Sequence, residues 1–164
     1  YIGSIHVGDA GASALAAALG RGALSRLRSL VLSNGAISDA GLLALAPALR
    51  RLPALAYLNF SFNPLGDEGL AALVPPAAAA GALPPPTGVL AKLETLGLVH
   101  TQVTEAGCVG LASALDSGAL PALKVLDLRR IQASDSAKGF VQEALHRHKV
   151  KLLQAHSTAQ EQLV

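Results

Sequence analysis

Carboxylates are the residues through which this sequence could do acid–base chemistry, and there are eleven of them. A paired acid and base built from carboxylates needs two such groups placed to share one substrate. Five of the eleven instead recur at one place in a repeating frame: Asp9, Asp39, Asp67, Glu105 and Asp135, with Glu68 beside one of them. Each follows a small or hydroxyl residue (Gly8, Ser38, Gly66, Thr104, Ser134). That pairing marks a helix start, where a hydroxyl caps a free N–H and a carboxylate sits at the positive end of the helix dipole. Capping explains the recurrence without catalysis. Asp127 stands apart, but one acid with no evident partner is not an active site.

The five histidines are His6, His100, His146, His148 and His156. His146 and His148, followed by His156, have a superficial look of metal ligands. Residues two apart face different sides of a helix, and no cysteine joins them, so a solvated basic helix is the expectation. Cys108 falls at a helix beginning with no histidine motif near it, a poor setting for a nucleophile even with the dipole's effect on its thiol. The glycines are spread through the chain, with no Gly-x-x-x-x-Gly-Lys phosphate loop. No cofactor and no metal is expected, and the chain reads as non-enzymatic.

Composition narrows the partners. A net charge of +2 makes no electrostatic case for nucleic acid. Aromatics are 3% of the chain, and interleaved rings of the kind that stack on single strands are absent. With 51% hydrophobic residues the core must be aliphatic. Residues 69–91 carry no charge, yet Pro75, Pro76, Pro84, Pro85 and Pro86 interrupt them, which excludes a transmembrane segment. The lone cysteine rules out an internal disulfide and suits a reducing, intracellular and cytoplasmic setting. The chain opens at Tyr1, inside a repeat, as expected of a piece of a longer protein. The lack of a targeting sequence is therefore no guide to that protein's address.

The elements that carry these residues follow from self-similarity. Four copies begin at Leu27, Leu55, Leu93 and Leu123, which are 28, 38 and 30 residues apart, and a truncated copy opens the chain. Counting each start as zero, positions 3 and 5 are Leu30 and Leu32, Leu58 and Phe60, Leu96 and Leu98, Leu126 and Leu128. This period of two predicts a short strand with one buried face. A helix of about three turns follows, with a small residue at position 14 (Gly11, Gly41, Gly69, Gly107, Ala137). One such unit cannot bury its apolar side alone, so neighbours must stack. The 38-residue spacing marks a Pro/Ala-rich inserted loop at 75–88, which cuts the third helix about one turn early. Pro47 is expected to kink or end the second helix near Leu43 to Ala46. The division expected is a solenoid over 1–145 and a C-terminal helical cap or extension over 146–164.

The pattern Leu-x-x-Leu-x-Phe-x-x-Asn-x-Leu at Leu55–Leu65, with the 28-residue period, resembles the leucine-rich repeat family. The likeness is to its ribonuclease-inhibitor-like and Ran-GTPase-activating-protein-like class, and it covers residues 1 to about 145. It implies an α/β right-handed solenoid of about five repeats, with a parallel sheet on the concave face and helices on the convex face. Only Asn63 holds the family's asparagine, which satisfies backbone groups after the strand. Gly35 and Ile131 cannot do so through a side chain, and looser turns are expected there, while Thr101 substitutes in part.

The outward residues of the strands then form a shallow mixed platform. Its candidate contacts are Tyr57, Asn59 and Ser61 from one repeat, Thr95, Val99 and His100 from the next, and Val125, Asp127, Arg129 and Arg130 from the last. Tyr and Arg are frequent binding hot spots. The function expected is a protein–protein interaction scaffold, part of a larger protein or assembly. Its alternatives are a regulator of Ran-like small GTPases and the ligand-sensing end of a NOD-like receptor.

Overall fold

Strands form where the leucine spacing puts them. A computed structural model describes residues 6–22, 24–74 and 90–161. Strands β1 (Ser29–Val31), β2 (Tyr57–Asn59), β3 (Thr95–Gly97) and β4 (Val125–Asp127) lie in chain order in one parallel sheet. Leu30 pairs with Leu58, Leu58 with Leu96, and Leu96 with Leu126, so the register is the repeat spacing itself. These central leucines are buried against the helices, and their neighbours on each strand face the other way.

Helices α1 (Gly8–Gly20), α2 (Asp39–Leu49), α3 (Asp67–Leu73), α4 (Glu105–Asp116) and α5 (Asp135–Glu161) pack each on the next along the convex side. The core between the layers is aliphatic, with Phe60 the one fully buried ring among the described residues. Helix α3 is the shortest at seven residues and ends at Leu73, with Val74 as its C-cap just before Pro75. The inserted loop expected at 75–88 and the strand of the first copy fall outside the described residues.

Pro47 does not end its helix, one of the two outcomes expected of it. Helix α2 runs through it to Leu49. The ring faces solvent and removes one bond near the helix end, while Arg50 N–H still donates to Ala46 O (3.0 Å). Leu42, Leu45 and Leu49, fully buried along the other side, hold the helix to the core.

The recurring carboxylates act between repeats, which corrects the simple capping reading. Asp9 Oδ1 accepts from Ser38 N–H (2.8 Å) and Oδ2 from the Ser38 hydroxyl (2.6 Å). Asp39 Oδ1 accepts from Gly66 N–H (2.7 Å) and Gly69 N–H (2.9 Å). Asp67 takes the N–H and hydroxyl of Thr104 (2.8 and 2.6 Å), and Glu105 takes Ser134 N–H (2.9 Å). Each carboxylate thus satisfies orphan donors at the start of the following helix. The hydroxyls of Ser38 and Thr104 do cap their own helices, at Ala40 and Ala106 N–H.

Asn63 ties the second repeat to the third. Its Oδ1 accepts from Gly35 and Ile37 N–H (both 3.0 Å), and its Nδ2 donates to Leu32 O (2.8 Å) and Phe60 O (2.7 Å). The turn at Gly35 is therefore supported by its neighbour, not left loose. Thr101 supplies one arm only, its hydroxyl donating to Leu98 O (2.8 Å), and Ile131 packs into the core instead.

Helix α5 passes unbroken through the boundary expected at residue 145. Its apolar face is Val141, Ala144 and Leu145, and it ends with His148, which is 4% exposed. The solvated reading of His148 is corrected: it falls three and four residues past Leu145 and Ala144, on the same face. His146 is exposed as expected. Arg147 pins the helix to α4 through both Asp116 oxygens (3.2 and 2.9 Å).

Candidate functional site

Three outward columns cross the sheet, one from each alternate strand position. In the register of the strands, Ser29, Tyr57, Thr95 and Val125 form the first, and Val31, Asn59, Gly97 and Asp127 the second. Ser33, Ser61, Val99 and Arg129 follow the strand ends. All but Ser29 and Val31, together with Phe62 and Arg130, bound a depression of about 540 Å³ on the concave face, open to solvent.

Glycine makes its floor. A Cβ on Gly97 would lie 2.8 Å from Asn59 Oδ1 and 3.4 Å from Ser61 Oγ, so the absent side chain lets Asn59 lean across. Asn59 Oδ1 accepts from Ser61 N–H (2.9 Å), two residues on, and its Nδ2 reaches the Tyr57 hydroxyl (3.4 Å). Asp127 repeats the arrangement two strands away, accepting from Arg129 N–H (3.3 Å). Arg129 then folds back in a bidentate pair, Nε to Oδ1 at 2.8 Å and Nη2 to Oδ2 at 2.7 Å. The guanidinium holds the Asp127 carboxyl below the usual carboxylate range, and the carboxylate raises Arg129 in turn. The planar fork is thereby oriented before any partner arrives.

Nine of the ten residues read from the sequence border this depression. Tyr57 and Val125 are exposed apolar members of it, at 37% and 52%, and Phe62 also borders it. Ser61 borders it but is 4% exposed, against expectation, because its hydroxyl accepts Val99 N–H (3.1 Å) and so joins adjacent repeats. His100 belongs instead to a second hollow of about 470 Å³ at the strand-end rim, with Phe62 and Arg130.

Phe62 is the residue that the sequence reading missed. It is 51% exposed and stacks on His100, with centroids 5.3 Å apart and planes 21° from parallel. Asn34, Phe62, His100 and Arg130 occupy the same place in successive repeats, and all have positive φ, between 54° and 60°. The chain turns there into the left-handed region, which costs a non-glycine residue about 1–2 kcal/mol. That twist takes these side chains out of the strand's alternation. The signal was present in His100, which already marked the position.

The remaining candidates for chemistry have structural neighbours. Cys108 is buried, and burial, with Asp67 and Glu105 nearby, raises its thiol above the ordinary range. Among the described residues, no group of three or more His, Cys, Asp or Glu side chains could hold a metal ion. No helix among them is long and apolar enough to cross a membrane.

Short parallel strands, one buried layer of leucines and a helix per repeat define a leucine-rich-repeat solenoid. A leucine-rich repeat family model matches residues 25–46 and 53–74. Ribonuclease inhibitor from Sus scrofa is 38% identical over 110 residues, covering 67% of this chain and 22% of the inhibitor. The chain thus spans about a fifth of that relative's length. The solved structure of Leiomodin-1 Actin-Binding Site 2 (ABS2) matches with a TM-score of 0.68 at 16% identity, over 98% of this chain and 88% of that one. The chain belongs to the leucine-rich repeat family, in its ribonuclease-inhibitor-like class.

Proposed function

We propose that this chain is a non-enzymatic protein-recognition module whose contact surface is the concave sheet face around Tyr57 and Arg129. The observation that carries the reading is a single open depression lined by the Asp127-held Arg129, the exposed Tyr57 and Val125, and Gly97. Tyrosine and arginine are both enriched at binding hot spots, and here they face the same hollow. A depression open to solvent along the sheet cannot bury most of a small ligand, as an enclosed pocket does. Affinity capture followed by mass spectrometry should identify partners that Tyr57→Ala combined with Arg129→Ala no longer retains. Retention of every partner by that variant and by one lacking residues 75–88 overturns this choice of surfaces.

A second reading, that the partner is a ribonuclease, is favoured by the 38% identity with ribonuclease inhibitor. Ribonuclease activity titrated with the chain tests it, and undiminished activity at saturating chain removes it.

A further inference from the structure

We propose that the rim hollow at Phe62, His100 and Arg130 is a docking site for an acidic segment of a partner protein. One carboxylate meets Arg130, and a neighbouring flat side chain lies on the Phe62–His100 stack. This rests on the concave-face reading and adds to it an adjoining site, which shares Phe62 and Arg130 with the depression but has its own chemistry.

Three observations converge here. First, the Phe62–His100 stack leaves about half of Phe62 open to solvent. A solvent-facing ring gains by being covered, and offset stacking on a further ring adds about 0.5–1.5 kcal/mol beyond area burial. Second, charge at the rim is one-sided. Asp127 is already engaged by Arg129, whereas Arg130 makes no hydrogen bond or ion pair among the described residues. No carboxylate borders the hollow, and the side-chain amides of Asn34 and Gln102 lie around it as further donors. Third, the left-handed backbone at all three positions fixes where their side chains leave the chain. Consecutive strands lie about 4.8 Å apart, so ring, ring and guanidinium stand in a row across the strand ends.

A protein segment fits better than a nucleic acid. A single guanidinium supplies one phosphate contact, where nucleic-acid affinity comes from many. The carboxylate fork, by contrast, is satisfied by one arginine.

The test uses a fluorescein-labelled peptide of alternating Glu and Phe, one version with Gln for Glu, one with Ala for Phe, and labelled oligothymidylate. The alternating peptide should bind the folded chain, and Gln replacement or Arg130→Ala should each weaken it about tenfold. The Gln peptide should be indifferent to Arg130→Ala, since the partner group is already gone. Phe62→Gly removes the ring while suiting the positive φ, and should weaken the Glu/Phe peptide but not the Ala version. Circular dichroism and urea midpoints check that each variant is folded. Loss in Tyr57→Ala with Arg129→Ala, but not in the rim variants, moves the contact to the sheet, which overturns this site and leaves the concave-face reading standing. Failure of the alternating peptide to bind, or tighter binding of oligothymidylate, overturns the proposal outright.

Discussion

Asp39 occupies the space that a side chain on Gly69 would need. Its Oδ1 accepts Gly69 N–H at 2.9 Å, and a Cβ on Gly69 would lie 2.6 Å from that oxygen. Gly41 stands in the same relation to Asp9, and Gly107 to Asp67. Where the carboxylate is the longer Glu105, the matching residue is Ala137. The small residue at the helix start is thus the footprint of the preceding repeat.

Gly69→Ala should therefore destabilise the protein by about 1–3 kcal/mol, although alanine is the better helix former. Asp39→Ala in the same background should recover part of that loss. Urea unfolding of both single variants and the double variant should give a coupling of about 0.5–3 kcal/mol. Strict additivity would show that the carboxylate is not the obstacle.

Asn63→Ala should be among the most damaging single changes. It strands the Gly35 and Ile37 donors and the Leu32 and Phe60 acceptors in the interior, since Asn63 is 3% exposed. Each unsatisfied buried group costs about 1–3 kcal/mol, and partial relaxation brings the expected total to about 3–5 kcal/mol. Thr101→Val, which loses a single bond, should cost about 1 kcal/mol. Thermal melts of the two variants side by side check the ranking.

Acid should weaken the stacking of the repeats. The Asp9 carboxyl is held below its ordinary value chiefly by the Ser38 hydroxyl and then by Ser38 N–H, and that of Glu105 chiefly by Ser134 N–H. A carboxyl with a depressed folded-state pKa contributes stability above its unfolded value, near 4, and loses it as pH falls through the folded value. The urea midpoint should hold from neutrality to about pH 5 and then fall. Ser38→Ala should raise the Asp9 pKa, seen directly in carboxylate NMR titration. An unchanged Asp9 titration in that variant would remove the assigned cause.

Arg129→Ala should alter binding far more than folding. The pair with Asp127 is largely solvent-exposed on the arginine side, and such pairs contribute about 0–1 kcal/mol. The Asp127 carboxyl should return towards its ordinary value when the guanidinium is gone. A urea midpoint shifted by more than that scale would mean that Arg129 holds the sheet together, which its exposure argues against.

Much of this was legible in the residues. Leu30, Leu58, Leu96 and Leu126 recur at the repeat spacing, and that spacing is the strand register, because parallel neighbours in a stacked repeat must align like with like. The carboxylates were legible as helix-start residues but not as bridges. A carboxylate serving its own helix and one reaching into the next have the same local sequence. Ser61 was misplaced because strand alternation says which way a side chain points, not whether the neighbouring strand takes its hydroxyl. Phe62 escaped because alternation stops where φ turns positive, and Pro47 was over-weighted because one missing bond is minor beside three buried leucines.

The carboxylate bridges all run one way, from each repeat to its successor, and the last of the recurring carboxylates, Asp135, reaches only Lys138 of its own helix among the described residues. Modularity in this protein therefore resides at the seam. A repeat transplanted elsewhere would bring an Asp or Glu to its follower and need a matching Gly or Ala there. Two adjoining half-repeats, cut through their middles, form the unit that could be exchanged or duplicated with its joint intact.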